Sequence, residues 1–476
     1  METARADRAA GISTTTSESH PAITVRTVAR MFTAAAAGRL VIYSLLLQHW
    51  GWQPPYHLVY LQPPDFYDPS AHEYLVPHMP GYWAFLRSVG AVSSNLYVAA
   101  PVLQTLLQLL AIARLTTTIT AVVRPRWPTA GVLLAFALGV DPWLCETAIV
   151  MQPAALTGSL FILLVERAAA FSGRVIADRT LPAWTPAILT SAALCAIGTY
   201  IRSDFATDVA LLPASVALTA WLTAAATPGR AATYAVTATA ASLLIVLALL
   251  MPRALWLRAR SGALVMTTNS GGGALWYGLG EIPNPWNIPN PETGDEAIEA
   301  FGRAHGYPSP FASARTSAFF SNLFKEHVRE RPAFLLKVFA ARVHRATLGW
   351  APASMSFQRG YEFWPDIKSM SDRIQAGVPR YRLLFTREYG PWIVKLYGLR
   401  YAGTALVWLI AIAAMWFVVR RRDSHPLLLL PLLAYAVGVG VFLLVHWSYR
   451  YGQQYYWLGS LGAYLITSAS ARAGRY

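Results

Sequence analysis

The stretch Leu96–Val122, LYVAAPVLQTLLQLLAIARLTTTITAV, carries a single charged side chain, Arg114. It is longer than the about 20 apolar residues that cross about 30 Å of hydrocarbon. As a helix it satisfies its own backbone groups, the condition for lying in lipid. Similar windows recur at Val28–Gln48, Thr129–Val140, Cys145–Val165, Pro182–Ile201, Phe205–Ala225, Ala231–Met251, Leu399–Val419, Leu427–His446 and Tyr455–Ser470. The chain therefore reads as an all-α polytopic membrane protein with about ten transmembrane helices. Composition agrees: 55% of the 476 residues are apolar and 13% charged, against about a quarter charged in soluble domains.

The net charge of +15 does not point to nucleic acid, because the basic residues fall mostly in short loops. With the N-terminus in the cytoplasm, the inner loops hold Arg124 and Arg126, then Arg167, Arg174 and Arg179, then Arg230, Arg420–Arg422, and finally Arg472 and Arg475. This is the positive-inside asymmetry. It divides the chain into a disordered cytoplasmic tail (1–27), a transmembrane module (28–251) with a first outer loop (51–95), an extracytoplasmic segment (252–398), and C-terminal transmembrane helices with a short cytoplasmic tail (399–476). The first 25 residues lack an apolar core and read as a tail, not a cleaved signal peptide. Cys145 and Cys195 lie in or beside apolar spans and imply neither a disulfide framework nor a cofactor. Arg39 and Arg114 stand well inside spans, and both are expected to snorkel to the cytoplasmic interface.

Polar chemistry gathers on the outer side. The first outer loop contains PPDFYDPSAHEYLVPHMPGYW, residues 63–83, which places Asp65, Asp68, His72 and Glu73 close together among prolines that forbid a long helix. Carboxylates near a low-dielectric boundary suit a general base or a metal ligand; they equally suit plain solvation of an exposed loop. Pro69 and the following SAHEY predict a short helix with Asp68 at its N-cap. Arg202 in YIRSDF and Arg450 in WSYRYGQQYYW sit at outer span ends, against the charge asymmetry. They read either as interfacial residues of the aromatic belt or as anion-binding forks, with Asp204 close at hand for Arg202. In the extracytoplasmic segment, Trp276, Tyr277 and Trp286 lie among glycines and prolines and suit either sugar stacking or a core. GGGALWYG there is not a phosphate loop, since no lysine follows the glycines and no helix pattern begins. Residues 317–348 read as basic amphipathic helices broken near Pro332, lying on the membrane or packed on the spans.

Taken in order, DFYDPSAHEY, PHMPGYWAFL, DPWLCETAIVMQP, IRSDF and RYGQQYYW make the chain from about Val28 onward resemble the GT-C superfamily of integral membrane glycosyltransferases, in particular bacterial relatives of protein O-mannosyltransferases and of the lipid A aminoarabinose transferase. The resemblance implies transfer of a sugar from a polyprenyl-phosphate carrier to a glycan, lipid or protein acceptor on the outer face, with inversion at the anomeric carbon. It implies a first-loop acid as base, matched by Asp68 or Asp65, with Glu73 third, and carrier-phosphate binding by Arg202 and Arg450. Relatives often carry a second acid in the fourth span. Here Gln152 stands at that place, with Asp141 and Glu146 before it as substitutes. Some relatives hold a divalent metal near the first-loop acid, so a metal stays open. Ala- and Arg-heavy usage and the lack of an Asn-x-Ser/Thr site in the outer segments fit a bacterial plasma membrane. A transporter of envelope lipids or glycans, or a non-catalytic scaffold, are the alternatives.

Overall fold

The computed structural model describes residues 24–50, 61–69, 72–125, 127, 129–149, 151–288, 295–307, 313–347, 409, 426–445, 455 and 457–470. In chain order these form α1 (Val25–Trp50), a hairpin of β1 (Phe66–Asp68) and β2 (Glu73–Leu75), α2 (Pro80–Val92), α3 (Leu96–Val123), α4 (Ala130–Gly139), α5 (Pro142–Ile149), α6 (Pro153–Asp178) and α7 (Trp184–Ile201). A 3-10 segment, Ser203–Ala210, runs into α8 (Leu211–Leu222), followed by α9 (Pro228–Ser261) and α10 (Gly271–Tyr277). Then come α11 (Asp295–Ala304), α12 (Ala314–Glu330), α13 (Pro332–Thr347), α14 (Leu430–Leu444) and α15 (Trp457–Ser470). The fold is that of an all-α polytopic membrane protein.

Among the described residues, six helices are long and apolar enough to cross a membrane: α3, α6, α7, Ser203–Leu222, α9 and Pro426–Leu444. A seventh is obtained if α4 and α5, bent by 60° at Val140–Asp141, count as one span. α1 matches the first expected window in extent but is not one of the six. α15 has 14 residues, and Leu399–Val419 lies outside the described residues apart from Leu409. So do the N-terminal tail before Thr24 and Arg450.

Three boundaries differ from the sequence reading. The expected span Cys145–Val165 is two helices, because the chain turns extended at Gln152 (φ −149°, ψ 155°) and restarts with Pro153 at the first turn of α6. α9 does not stop at Met251 but runs through Pro252 to Gly262, whose φ of +72° closes it. A helix does begin at Gly271; the poor propensity of its three glycines is offset by packing on α12, where Ser317 Oγ accepts from the Gly272 N–H at 3.1 Å. The break expected near Pro332 is present between α12 and α13.

α1 lies along α4 and α3. The contact with α4 is made through glycine: a Cβ on Gly139 would stand 2.2 Å from the Ala35 carbonyl oxygen, and one on Gly38 2.7 Å from that of Phe136. Small residues let backbones approach where lipid supplies no hydrophobic drive for helices to associate. Buried alongside is Arg39, 1% exposed, which donates from Nη1 to the Leu144 carbonyl at 2.7 Å and from Nη2 to Gln108 Oε1 at 2.7 Å. It does not snorkel, because both partners lie in the bundle interior. Arg114, partly exposed, instead pairs with the buried Glu166 at 3.7 Å; Thr118 donates to the same carboxylate at 2.6 Å, and Arg167 also binds it.

The segment after α9 is tied to the spans by another buried arginine. Arg342 of α13 pairs with Glu281 at 3.1 Å, each 2% exposed, and donates to the carbonyls of Gly278 (2.9 Å) and of Leu443 at the end of α14 (3.0 Å). Tyr435 of α14 donates to the Ala346 carbonyl. α13 is therefore packed on a span, the second of the two readings given for it. Removing one member of a buried pair strands the other charge, at a cost of roughly 3–5 kcal/mol. Arg342→Ala should lower the thermal midpoint of the detergent-purified protein far more than Arg331→Ala, whose pair with Glu330 is exposed.

Candidate functional site

The acid-rich loop forms a hairpin, not the short helix expected after Pro69. Phe66 pairs with Leu75, Tyr67 with Tyr74 and Asp68 with Glu73. Two factors favour strands: aromatic side chains suit a pleated surface, and His72 takes a left-handed conformation (φ +52°) that turns the chain. Asp68 is consequently a strand residue at the turn, without the N-cap geometry that would have aimed it.

The hairpin docks on the C-terminal end of α9. Val76 is buried against Leu257 and Val265, and the Tyr74 ring meets Trp256 edge-on at 6.4 Å. With 34 residues, α9 is about 51 Å long and exceeds about 30 Å of hydrocarbon. Its last turns, with Arg253, Arg258 and Arg260, can thus stand clear of lipid. Arg253 and Arg260 are seven residues apart, on one face of the helix. Arg253 donates to the Thr267 carbonyl at 2.9 Å and the His78 carbonyl at 3.4 Å, and lies 3.7 Å from Met79 Sδ. The Asn269 N–H donates to the Val76 carbonyl at 3.1 Å. One guanidinium and one backbone bond thereby join the first outer loop to the linker after α9.

Asp65 is the first-loop acid drawn into this arrangement. Half-buried, its carboxyl is pushed above the usual range by desolvation, and the charges of Arg253 and Arg260 pull it partly back. Burial likewise lowers the His78 imidazole. Arg260 is exposed and lies over the Trp256 ring at 4.4 Å. α2 begins beside the end of α7, where a Cβ on Gly81 would stand 2.6 Å from the Tyr200 carbonyl oxygen. Tyr200 donates to the Leu249 carbonyl at 2.8 Å.

At that end of α7, Arg202 pairs with Asp204 at 2.9 Å and lies over Phe442 at 5.6 Å. The structure adds Asp208, 2% exposed, with Oδ1 unpartnered among the described residues and close enough to Asp204 and Arg202 to feel both charges. The four-residue spacing in SDFATD was the available signal for Asp208, and the seven-residue spacing in PRALWLRAR for Arg253 and Arg260.

Other sequence candidates lie apart from this group in role. Asp141 caps α5, its Oδ1 accepting from the N–H groups of Trp143 and Leu144 at 3.1 Å each. Gln152 is buried at the start of α6, and the side chains of Glu146 and Glu73 lie outside the described set. Trp276 does not offer a ring to a sugar: at 1% exposure it is enclosed by Phe301 and Phe320, with Tyr277 packed on the same cluster. Among the described residues no group of three or more His, Cys, Asp or Glu side chains is placed to hold a metal ion.

A carboxyl that binds its proton more tightly when folded contributes stability that is fully present below its ordinary value of 3.8 and lost as pH rises through the elevated one. Thermal midpoints measured against pH should therefore show wild type losing ground to Asp65→Asn as pH rises across that window. Parallel curves would contradict the burial of this carboxyl. Comparison of the chain with protein families, curated proteins and solved structures finds no match in any of the three.

Proposed function

We propose that the chain is an inverting membrane glycosyltransferase of the GT-C kind, moving a sugar from a polyprenyl-phosphate carrier to an envelope glycan, lipid or protein acceptor on the outer face of a bacterial plasma membrane. The observation that carries this reading is Asp65, a half-buried first-loop acid set against the outward arginines of α9. Asp65 replaces Asp68 as the first choice of base because the helix that would have aimed Asp68 is a strand. The carboxylate takes the proton of the acceptor hydroxyl as its oxygen attacks the anomeric carbon. The carrier phosphate leaves with the electrons of the broken C–O bond, and exposed Arg260, aided by Arg202, neutralises it. Ten spans in a GT-C arrangement belong to the same proposal.

A transporter is the second reading, favoured by the ionisable Arg39 deep within the bundle.

General-base catalysis is worth about 10²–10⁴-fold. Asp65→Asn should reduce sugar transfer by about that factor in membranes containing normally inserted protein, Asp68→Asn by much less, and Arg260→Ala should mainly raise the KM for donor. Mass spectrometry of envelope glycans from a deletion strain complemented with each variant reads the result. Full restoration by Asp65→Asn/Asp68→Asn would end the enzyme reading and favour the transporter.

A further inference from the structure

Along α13, Leu335, Val338, Arg342 and Ala346 recur at helical spacing and turn toward the rest of the protein. Leu335 and the buried Val338 pack in the cluster around Trp276, while Arg342 and Ala346 are the points tied to α14. A second stripe runs beside the first. Ala333, Leu336, Phe339 and Ala340 are exposed, Leu336 at 71% and Phe339 at 39%. The helix therefore has two apolar faces, and packing among the described residues uses one.

The position of α13 says what meets the other. α14 belongs to Pro426–Leu444, a helix long and apolar enough to cross a membrane. Arg342 reaches it at Leu443, next to its end, and the Ala346 carbonyl meets Tyr435, eight residues earlier on the span. Eight helical residues are about 12 Å. From the Trp276 cluster, α13 thus runs inward along a span, toward hydrocarbon. Its charge suits that place: Pro332–Thr347 contains Lys337, Arg342, His344 and Arg345 and no acid. Lys337 is exposed at the border of the open stripe. Leucine and phenylalanine on one face, edged by lysine, let a helix sink apolar side chains below the lipid phosphates while the ammonium stays at their level.

We propose that the Leu336–Phe339–Ala340 face of α13 is a lipid-binding surface, seated at the headgroup–acyl boundary of the bilayer with Lys337 among the phosphates. The surface stands independently of the sugar-transfer reading.

The test is nitroxide spin labelling of the full chain in nanodiscs of phosphatidylcholine and phosphatidylglycerol. Cys145 and Cys195 are both buried, so a label goes selectively to an introduced, exposed cysteine. Leu336→Cys and Phe339→Cys carry the question. Leu244→Cys, exposed on the span α9, serves as the lipid reference, and Asn322→Cys, on the exposed polar side of α12, as the water reference. Collision rates with oxygen, which concentrates in lipid, and with a neutral nickel chelate, which stays in water, are compared at each site. Labels at 336 and 339 should shift toward oxygen as at 244, and lipid-calibrated depths should fall about 5–10 Å below the phosphates. Nickel-dominated collisions at either position would put the face in water, and shielding from both reagents would put it under another part of the protein. Each of these results would overturn the surface.

Discussion

A backbone freed from its helix inside hydrocarbon must find other partners, and the chain between α4 and α6 is where this constraint is felt most. The polypeptide bends at Val140–Asp141 and turns extended at Gln152, leaving the ends of α5 without intrahelical partners. Asp141 serves its N-terminal amides and Gln104 of α3 reaches the Ala148 carbonyl at its C-terminal end, while Arg39 and Tyr43 of α1 add bonds to the Leu144 and Cys145 carbonyls within the helix. α1 can bring Arg39 and Tyr43 there because Gly38 and Gly139 let it approach α4 closely. Part of the interior polarity of this bundle thus follows from a broken span.

The end of α9 and the segment that follows it are organised by arginines in the same way. Arg342 gathers Glu281, the Gly278 carbonyl and the end of α14, so α13 is anchored to a span. Arg253 gathers the carbonyls of His78 and Thr267, so the first outer loop is anchored to α9. A fork of five donors meets several carbonyls from different segments at once, which a lysine cannot do with the same geometry. Asp65 owes its half-buried position beside Arg253 and Arg260 to this second anchor, and its proton affinity follows from that position.

The helical class, the positions of several spans, the break at Pro332 and the Arg202–Asp204 proximity were legible in the sequence, because apolar length, proline and local spacing act over a few residues. So was the gathering of acids in the first outer loop. The turn around Asp68 reads as a helix start in the sequence and is a hairpin in the fold, because helix capping and a hairpin compete for the same turn residues and Val76 packs on Leu257. Trp276 was ambiguous because an aromatic ring suits a core and a sugar equally until Phe301 and Phe320 close over it. The sequence gives little sign of Arg253 and Arg260 as a pair on one helix face, because proline at position 252 reads as a stop, yet α9 continues through it. By itself, then, the sequence determined that this chain is an all-α membrane protein with several acids gathered in the loop after its first helix, since hydrophobic length and charge placement are local sums. Only the tertiary structure decided which acid meets arginine and which arginine is buried, since burial and pairing depend on segments far apart in the chain.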